Sequence, residues 1–314
     1  MKTVMVTGAS GMIGLALTET LLEKGFKVIG TDSKPNDFVN SPNYSFVQAS
    51  IDDKDNITNI LNGSSIDALV HLACSCDNDF PPIITSAEEK KSSAVDKYLY
   101  KAAVDAGVGD IILLSTYQVY APQKTREPIR ETSDEKPATA YGKMKYESEK
   151  AMAKVVTKSA SCKCVIARVS PVYTKNFTDN LKAKVFDPKE GCAFVYGYGD
   201  YGYSFCCVYN LVDFIVGVLN IAQGVNYMGV YNVCDTKPIA AKEILDLLRE
   251  RHAVGAVVQR NLGSEGIKGL FNFGGGGKND YRYNDISLAC SNISYDNTKA
   301  QRISAFRWKL SNTK

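Results

Sequence analysis

The sequence predicts an α/β protein whose strands and helices alternate to form a doubly wound parallel sheet. Over the first 115 residues, short apolar runs alternate with segments that repeat apolar residues at helical spacing. Such alternation produces right-handed strand–helix–strand crossovers and hence a parallel sheet. Gly8, Asp32, Ala73 and Thr116 each lie where an apolar run ends. We therefore expect them at the carboxyl edge of the sheet, where proteins of this class bind ligands.

The elements of this larger unit follow from the apolar pattern. The predicted strands cover residues 4–6, 26–30, 44–48, 66–73, 111–115 and 164–169. The first predicted helix carries Ile13, Leu17 and Leu21 on one face. Further helices are predicted at residues 55–61, 92–106 and 141–158. The charged segment 121–136 contains prolines, which favour a loop.

The regular alternation ends near residue 171, and shorter strands, tyrosine-rich loops and short helices, including one at residues 241–251, are predicted beyond it. We therefore expect a dinucleotide-binding domain of residues 1–170. A smaller C-terminal α/β substrate-binding region of residues 171–314 would be partly interleaved with it. Residues 272–278 include four consecutive glycines and are expected to form a mobile loop.

Composition excludes several classes of function. The 314 residues are 45% hydrophobic and 23% charged, which is ordinary for a globular protein. The net charge is +3 without long Lys/Arg runs, so we expect no nucleic-acid partner. No apolar stretch is long enough for a membrane span, and no signal-peptide pattern precedes the first strand. A cytoplasmic location is therefore expected.

The nine cysteines do not form a metal-binding pattern. Most lie in apolar runs and are expected to be buried free thiols in a reducing compartment. The pairs Cys74/Cys76 and Cys162/Cys164 lack zinc-finger spacing, and two histidines are too few for a histidine-rich site. We expect no metal.

Gly8, Gly11 and Gly14 lie between the first strand and the first helix. In such a turn the glycines allow a tight bend, close approach of a pyrophosphate and close packing of the helix. The helix N-terminus adds N–H donors and the positive end of its dipole. The spacing is GxxGxxG rather than GxGxxG, and a turn without a ligand is the alternative.

Asp32 ends the second strand, where a Rossmann unit carries an acidic residue that binds the adenosine ribose. Its carboxylate would repel a 2′-phosphate, so NAD is expected rather than NADP, although Lys34 weakens this preference. A turn aspartate without a ligand is the alternative. Ser50 and Ile51 follow the third strand, where a loop would cover the adenine.

Tyr141 and Lys145 are four residues apart and share one face of a predicted helix. We expect the ammonium to lower the phenol pKa from about 10 toward the working pH. Such a phenol is a general acid/base for interconverting a hydroxyl and a carbonyl. Thr116 could hydrogen-bond the same substrate oxygen. The pair gains significance because it follows a glycine-rich nucleotide unit.

Five stretches resemble the extended short-chain dehydrogenase/reductase superfamily, which includes NAD-dependent sugar epimerases and dehydratases such as UDP-glucose 4-epimerase-like proteins. They are Thr7-Gly-Ala-Ser-Gly-Met-Ile-Gly14, Asp32, His71-Leu-Ala-Cys74, Leu114-Ser-Thr-Tyr-Gln-Val-Tyr120 and Tyr141-Gly-Lys-Met-Lys145. Three later stretches agree in outline: Arg168-Val-Ser-Pro-Val-Tyr173, Val195-Tyr-Gly-Tyr-Gly199 and Tyr231-Asn-Val-Cys-Asp235. The resemblance thus covers nearly the whole chain and implies a Rossmann-type fold.

The resemblance implies a catalytic set of Thr116, Tyr141 and Lys145, with Lys145 also binding the nicotinamide ribose. The implied NAD-binding residues are Gly8, Ser10, Gly11, Met12, Ile13, Gly14, Asp32, Ser50, Ile51, Leu72, Ala73, Cys74, Ser92, Ser115, Tyr141, Lys145 and Val172. The family often dimerises through the helix that carries the Tyr–Lys pair and the helix before the fifth strand. A homodimer is therefore expected.

Several positions depart from the family pattern. Ser50 replaces the aspartate that usually meets the adenine, and Ser92 replaces an asparagine of the preceding helix. Tyr117-Gln118 replaces the Asp-Glu pair of dehydratases, so 4,6-dehydration is not expected.

Other departures concern the groups that hold a sugar diphosphate. Pro171 stands where many epimerases have an asparagine, and Asn210 stands where an aspartate is usual. The arginine that usually precedes that aspartate is missing, and its candidate substitutes are Arg282, Arg302 and Arg307. Five tyrosines suggest an aromatic pocket or ordinary strand packing: Tyr196, Tyr198, Tyr201, Tyr203 and Tyr209.

The expected function is that of an NAD-dependent epimerase acting on a nucleotide sugar through a transient keto intermediate. One alternative is an NAD(P)-dependent reductase or dehydrogenase of a sugar or another small carbonyl or hydroxyl substrate. Another is a non-catalytic nucleotide-binding regulatory protein.

Overall fold

The structure is a computed structural model that describes residues 1–36, 39–74, 85–121, 127–159, 161–188, 190–222, 224–260 and 294–313. Within these residues the largest sheet has seven strands, and every neighbouring pair is parallel. From one edge to the other they are Gly229–Val233 (β12), Lys163–Val169 (β6), Asp110–Thr116 (β5), Ala68–His71 (β4), Thr3–Thr7 (β1), Lys27–Asp32 (β2) and Tyr44–Gln48 (β3). The predicted fold class is confirmed.

Helices cover both faces of this sheet because successive strand residues point to opposite sides. Val4 and Val6 of β1 pack in a core with helices Met12–Glu23 (α1) and Val208–Leu219 (α6). Met5 belongs to a second core on the other face. The helices of that core are Lys54–Gly63 (α2), Ser86–Asp105 (α3) and Ala140–Val156 (α4).

Two of the helices that flank the large sheet differ from the prediction. Helix α3 begins at Ser86 rather than residue 92, because Thr85 and Glu88 form a capping box. Glu88 N–H donates to Thr85 Oγ1 at 3.2 Å, and Thr85 N–H donates to Glu88 Oε2 at 2.7 Å. The position of helix α6 was not predicted. It is rich in valine, and nine of its twelve residues are buried.

The C-terminal part has shorter elements and a core of its own. Its strands are Val172–Tyr173 (β7), Phe186–Asp187 (β8), Cys192–Tyr196 (β9), Gly202–Tyr203 (β10), Cys206–Cys207 (β11), Ile239–Ala240 (β13) and Val257–Arg260 (β14). Its helices are Asp179–Val185 (α5), Ala241–Glu250 (α7) and Thr298–Gln301 (α8). Since β12 and α6 join the layers of the large sheet, the two parts are interleaved, and the boundary near residue 170 stays a prediction.

The described cysteines form no disulfide. Burial raises the pKa of Cys162 and of Cys234 to about 12, so both thiols stay protonated. Cys76, Cys290 and the expected loop at residues 272–278 lie outside the described residues. Among the helices that the structure describes, none is both long and apolar enough to cross a membrane.

Asp235, which follows β12, is buried in the C-terminal part. Its Oδ1 accepts hydrogen bonds from Cys207 N–H at 2.9 Å and Asn210 Nδ2 at 2.7 Å. Its Oδ2 accepts from Tyr173 Oη at 2.8 Å. Burial outweighs these bonds and raises the pKa of Asp235 to about 6.

This raised pKa predicts a pH dependence of stability. Folded Asp235 holds its proton up to about pH 6, whereas the unfolded carboxyl loses it near pH 4. Its contribution to stability is therefore full below about pH 4 and is lost as pH rises through about 6. Asp235→Asn mimics the protonated form. We expect the stability of this variant relative to wild type to increase by about 1 kcal/mol from pH 5 to pH 7.5.

Urea unfolding at the two pH values measures this change. Asp296→Asn is the control, because a hydrogen bond from Thr298 lowers the pKa of Asp296 out of the window. An equal stability difference at both pH values for Asp235→Asn would contradict the prediction.

Candidate functional site

A cleft of about 820 Å³ opens at the carboxyl edge of the large sheet. Since β2 and β3 lie on one side of β1, and β4, β5 and β6 lie on the other, the strand order gives the cleft two ends. Asp32 and Ser50 line one end, and Thr116 and Ser170 line the other. The cleft therefore lies where a doubly wound sheet binds its ligands.

The three glycines of the first turn have different roles. Gly8 has φ of +74°, and a Cβ there would lie 2.9 Å from the Ala73 nitrogen. A Cβ on Gly14 would lie 2.1 Å from the Gly8 oxygen, so α1 packs directly against the turn. Gly11 is the N-cap of α1. Gly8 therefore requires glycine for conformation and for space, and Gly14 requires it for space. Gly11 has neither constraint, because its φ is −76° and a Cβ there would lie 3.4 Å from the nearest atom.

The start of α1 can hold an anion. Met12, Ile13 and Gly14 all line the cleft. The first N–H groups of a helix have no acceptor within the helix, and the dipole places positive charge there. The turn before these N–H groups consists of small residues, Gly8 to Gly11, which leave space in front of the helix. A pyrophosphate therefore fits this position.

Asp32 is held at the cleft by backbone donors on both sides. Ser10 N–H donates to its Oδ2 and Lys34 N–H to its Oδ1, each at 3.0 Å. Each carboxylate oxygen has a further lone pair that could accept from a ribose hydroxyl. At the same end, Asp52 pairs with Lys91, and hydrogen bonds from Lys91 and Ser50 lower the pKa of Asp52.

The turn after β5 lies against the start of α4. Gln118 N–H donates to Thr116 Oγ1 at 3.3 Å. Thr139 caps α4 by accepting from Gly142 N–H at 2.9 Å, and it donates to Gln118 Oε1 at 2.6 Å. A Cβ on Gly142 would lie 2.4 Å from the backbone oxygen of Gln118. This close approach places Tyr141, next to Gly142, along the same cleft as Thr116.

Tyr141 and Lys145 lie on the inner face of α4, as their spacing predicts. Both line the cleft, and Lys145 is only 4% exposed. The Lys145 Nζ lies 6.0 Å from the centre of the Tyr141 ring. A positive charge at this position favours the ionised phenol, which is the condition for acid/base chemistry.

A buried charge network follows one turn further along α4. Arg168 Nε donates to Glu149 Oε1 at 3.1 Å, and its terminal nitrogen pairs with Glu149 and Glu135. Ser115, which lines the cleft, also donates to Glu149. Sequence reasoning missed Glu149, although its distance of four residues from Lys145 is the signal that could have found it.

The structure brings nearly all of the expected site residues to this one cleft. Lining it are Gly8, Ser10, Gly11, Met12, Ile13, Gly14, Asp32, Ser50, Ile51, Leu72, Ala73, Cys74, Ser115, Thr116, Tyr141, Lys145 and Val172. Ser92 is not brought to the cleft, because it is buried within α3. Further lining residues that the sequence did not suggest include Glu88, Lys91, Thr139, Phe177 and Asn180.

Asn210 has a structural role that removes it from the cleft. Its Nδ2 donates to Trp308 O at 2.7 Å, and its Oδ1 accepts from Trp308 N–H at 2.9 Å. It thus fixes the C-terminal segment. Arg302 and Arg307 do not line the cleft, and Arg282 lies outside the described residues.

The five tyrosines also lie away from the described lining. Tyr201 packs between Tyr196 and Tyr203, with ring centres 6.4 Å and 5.7 Å away. Tyr209 packs on Trp308, and Tyr198 is 87% exposed. Packing among the C-terminal elements accounts for four of the five.

Comparison with known proteins gives a consistent result. The family model described as "NAD dependent epimerase/dehydratase family" matches residues 4–234. An uncharacterized protein of Methanocaldococcus jannaschii is 23% identical over 273 residues, which are 79% of this chain and 80% of that protein.

Two solved structures resemble the whole chain. UDP-glucose 4-epimerase of Thermotoga maritima, solved with UDP-glucose, has a TM-score of 0.69 and 19% identity, over 96% of this chain and 91% of that one. UDP-glucuronic acid 4-epimerase of Bacillus cereus, solved with NAD, has a TM-score of 0.70 and 18% identity, over 99% and 95% of the chains. At these identities the likeness establishes a shared fold.

Proposed function

Since the chain belongs to the NAD dependent epimerase/dehydratase family, we propose that it is an NAD-dependent epimerase acting on a nucleotide sugar. The observation that carries this proposal is that Thr116, Tyr141 and Lys145 share one cleft with the glycine turn and Asp32. The epimerases of similar fold, solved with UDP-glucose or with NAD, support the same substrate class and cofactor.

The cleft fits an adenine dinucleotide. The N–H groups at Met12 and Ile13 would hold the pyrophosphate, and Asp32 would hold the adenosine ribose. Lys145 would bind the nicotinamide ribose. The remaining NAD-binding assignments concern the cleft walls: Ser50 and Ile51 near the adenine, and Leu72, Ala73, Cys74, Ser115 and Val172 between the two ends. Bound NAD would supply a hydride acceptor that returns the hydride later.

The side chains of this protein would handle the proton. Tyr141 Oη takes the proton of the substrate hydroxyl and later returns it. The Lys145 ammonium stabilises the phenolate, and the Thr116 hydroxyl orients the same substrate oxygen. The keto sugar turns in the cleft between the two transfers, so that its configuration inverts at the oxidised carbon.

One observation favours a second candidate, an NAD(P)-dependent reductase or dehydrogenase of a smaller substrate. In the described lining the cations are Lys34, Lys91 and Lys145. Lys34 and Lys91 lie at the Asp32 end, and Lys91 is paired with Asp52. The described lining residues at the Thr116 end therefore offer no arginine or lysine besides Lys145 to hold a sugar diphosphate, because Arg168 is paired with Glu149 and Glu135 and does not line the cleft.

One experiment separates the two candidates. The purified protein is analysed for bound NAD and then incubated with UDP-glucose, UDP-glucuronic acid and neutral sugars. Epimerisation with retained NAD and no net absorbance change of NADH supports the proposal. Stoichiometric consumption of NADH with a carbonyl substrate would favour the reductase instead.

A non-catalytic nucleotide-binding regulatory protein is the third candidate. The complete set of Thr116, Tyr141 and Lys145 argues against it, because binding alone does not require an acid/base pair. If a Tyr141→Phe variant supported the cellular role unchanged, chemistry would not be the function.

We also propose that the protein is a cytoplasmic homodimer that associates through α3 and α4. These helices pack side by side on one face of the sheet. Light scattering of the purified protein tests the dimer, and a monomeric mass at micromolar concentration would contradict it.

Asp32→Ala is expected to weaken NAD binding about tenfold while leaving the fold intact, since a hydrogen bond to a charged group contributes about 1.5–3 kcal/mol. Calorimetry measures the affinity, and circular dichroism checks the fold. Asp32→Asn is the companion variant, because it removes the charge but keeps one oxygen for Ser10 or Lys34 N–H. Equal affinity for NAD in wild type and Asp32→Ala would contradict the assignment.

A further inference from the structure

The turn after β5 holds the side chain of Gln118 along the cleft. Thr116 caps a short 3₁₀ turn, Tyr117–Val119, by accepting a hydrogen bond from Gln118 N–H at 3.3 Å. Gln118 is half-buried and lines the cleft together with Thr116 and Tyr141. Its backbone therefore lies within hydrogen-bond range of the Thr116 hydroxyl, which is proposed to orient the reacting oxygen of the substrate.

The start of α4 fixes Gln118 at two points. A Cβ on Gly142 would lie 2.4 Å from the backbone oxygen of Gln118, so the two backbones approach closely. Thr139 Oγ1 donates to Gln118 Oε1 at 2.6 Å. Since one contact involves the backbone and the other involves the end of the side chain, the whole residue has a defined position between β5 and α4.

The hydrogen-bonding capacity of Thr139 determines how the Gln118 amide is turned. A threonine hydroxyl has one hydrogen to donate and two lone pairs with which to accept. Thr139 accepts from Gly142 N–H at 2.9 Å, and it donates its hydrogen to Gln118 Oε1. An amide nitrogen in that place would leave the Thr139 hydrogen without this acceptor. The amide oxygen of Gln118 is thus held by α4, and Nε2 is the end that remains to donate.

The Nε2 of Gln118 has two hydrogens, and no hydrogen bond among the residues that the structure describes uses them. Because the side chain lines the cleft, a ligand in the cleft can accept from it. Thr116 supplies a second donor, since its Oγ1 accepts from Gln118 N–H and keeps its own hydrogen to donate. Two neutral donors this close along the chain fit two oxygens on adjacent carbons of one sugar.

We propose that Gln118 is a substrate-specificity residue whose Nε2 donates a hydrogen bond to the sugar oxygen on the carbon adjacent to the reacting one. The inference rests on the proposed function, in which Thr116 and Tyr141 hold the reacting oxygen. It adds a second point of recognition, so the preferred substrate keeps an oxygen on the carbon beside the one that is oxidised. Gln118 binds the substrate and takes no part in proton transfer.

The test combines one variant with a series of substrate analogues. The probes are UDP-glucose and its 2-deoxy, 3-deoxy, 4-deoxy and 6-deoxy analogues, each of which lacks one sugar oxygen. Calorimetry measures their affinities for NAD-saturated protein that carries Tyr141→Phe, so that turnover does not interfere. Gln118→Met keeps the length of the side chain and removes the amide. We expect it to weaken binding of UDP-glucose about fivefold, as for one lost hydrogen bond, and to leave binding of one analogue unchanged.

Two reference variants make the result specific. Thr116→Val should lose its effect for the analogue that lacks the reacting oxygen, which identifies that oxygen. The analogue that is insensitive to Gln118→Met should lack the oxygen on the adjacent carbon. Gln259→Met makes the same chemical change at an exposed glutamine of β14 that does not line the cleft, and it should leave all five affinities unchanged.

Equal weakening of all five ligands by Gln118→Met would mean that the side chain only braces α4, and it would overturn the proposal. An absence of weakening, or an effect that depends on any oxygen other than the adjacent one, would overturn it as well. Wild-type protein that binds none of the UDP-sugars would refute the proposed function and this inference together, whereas uniform weakening refutes the inference alone.

Gln118→Glu takes the place of Gln118→Met if that variant does not fold. Its carboxylate still accepts from Thr139 Oγ1 but has no N–H to donate. A change in affinity that depends on the adjacent oxygen alone supports the proposal, and a uniform change overturns it.

Discussion

Tyr141→Phe is expected to lower the turnover number by about a thousandfold, because a general acid/base typically accelerates the chemical step by about a hundredfold to ten-thousandfold. In the proposed function the Tyr141 phenol exchanges the substrate proton, and phenylalanine has no hydroxyl. The ring remains, so the cleft wall and NAD affinity should be almost unchanged. Turnover is measured with the nucleotide sugar that the substrate screen identifies, and NAD affinity by calorimetry.

Tyr146→Phe is the matched control for this prediction. Tyr146 is a partly buried tyrosine on the same helix, but it does not line the cleft. Because the Tyr146 hydroxyl bonds Glu135 and not a group in the cleft, its loss should leave turnover within about twofold. Comparable activity of Tyr141→Phe and Tyr146→Phe would reject Tyr141 as the acid/base.

Gly14→Ala is expected to damage both stability and cofactor binding. The new Cβ would lie 2.1 Å from the Gly8 oxygen and 2.7 Å from the Ala9 Cα, and backbone atoms cannot rotate away. Helix α1 would have to move off β1, and its N–H groups would move with it. We expect a loss of about 3 kcal/mol in the free energy of unfolding. NAD affinity should fall by at least about tenfold.

Gly63→Ala provides the comparison for the same chemical change. Gly63 is the last residue of α2, and a Cβ there meets no atom within 4 Å. The free energy of unfolding of Gly63→Ala should differ from that of the wild type by no more than about 0.5 kcal/mol. Urea unfolding and NAD titration measure both variants. If Gly14→Ala behaved like Gly63→Ala, the close packing of α1 on the glycine turn would not be needed for binding.

The N-terminal part could be read from the sequence because its patterns are local. A buried parallel strand is a short apolar run, and a helix on one of its faces repeats every three to four residues. The glycine turn, Asp32, Thr116 and the Tyr141/Lys145 pair each lie next to such an element. Their places at the carboxyl edge then follow from the direction of the strands. The earlier start of α3 was also readable, since Thr85 and Glu88 have the spacing of a capping box.

Other features depended on contacts between residues distant in the chain. Helix α6 is rich in valine, and its burial against α1 and the C-terminal part explains that composition. Asn210 bonds Trp308, from which it is separated by 98 residues of sequence.

The sequence by itself determined the fold class, the family resemblance and seventeen of the residues that line the cleft, because each depends on a motif within one strand–helix unit. Tertiary structure decided which buried groups support that motif. It brings Asp96 of α3 to His71 of β4, and it keeps Ser92 of the same α3 away from the cleft. The physical reason is that a buried charge must find its partner in space, and spacing along the chain does not contain that distance.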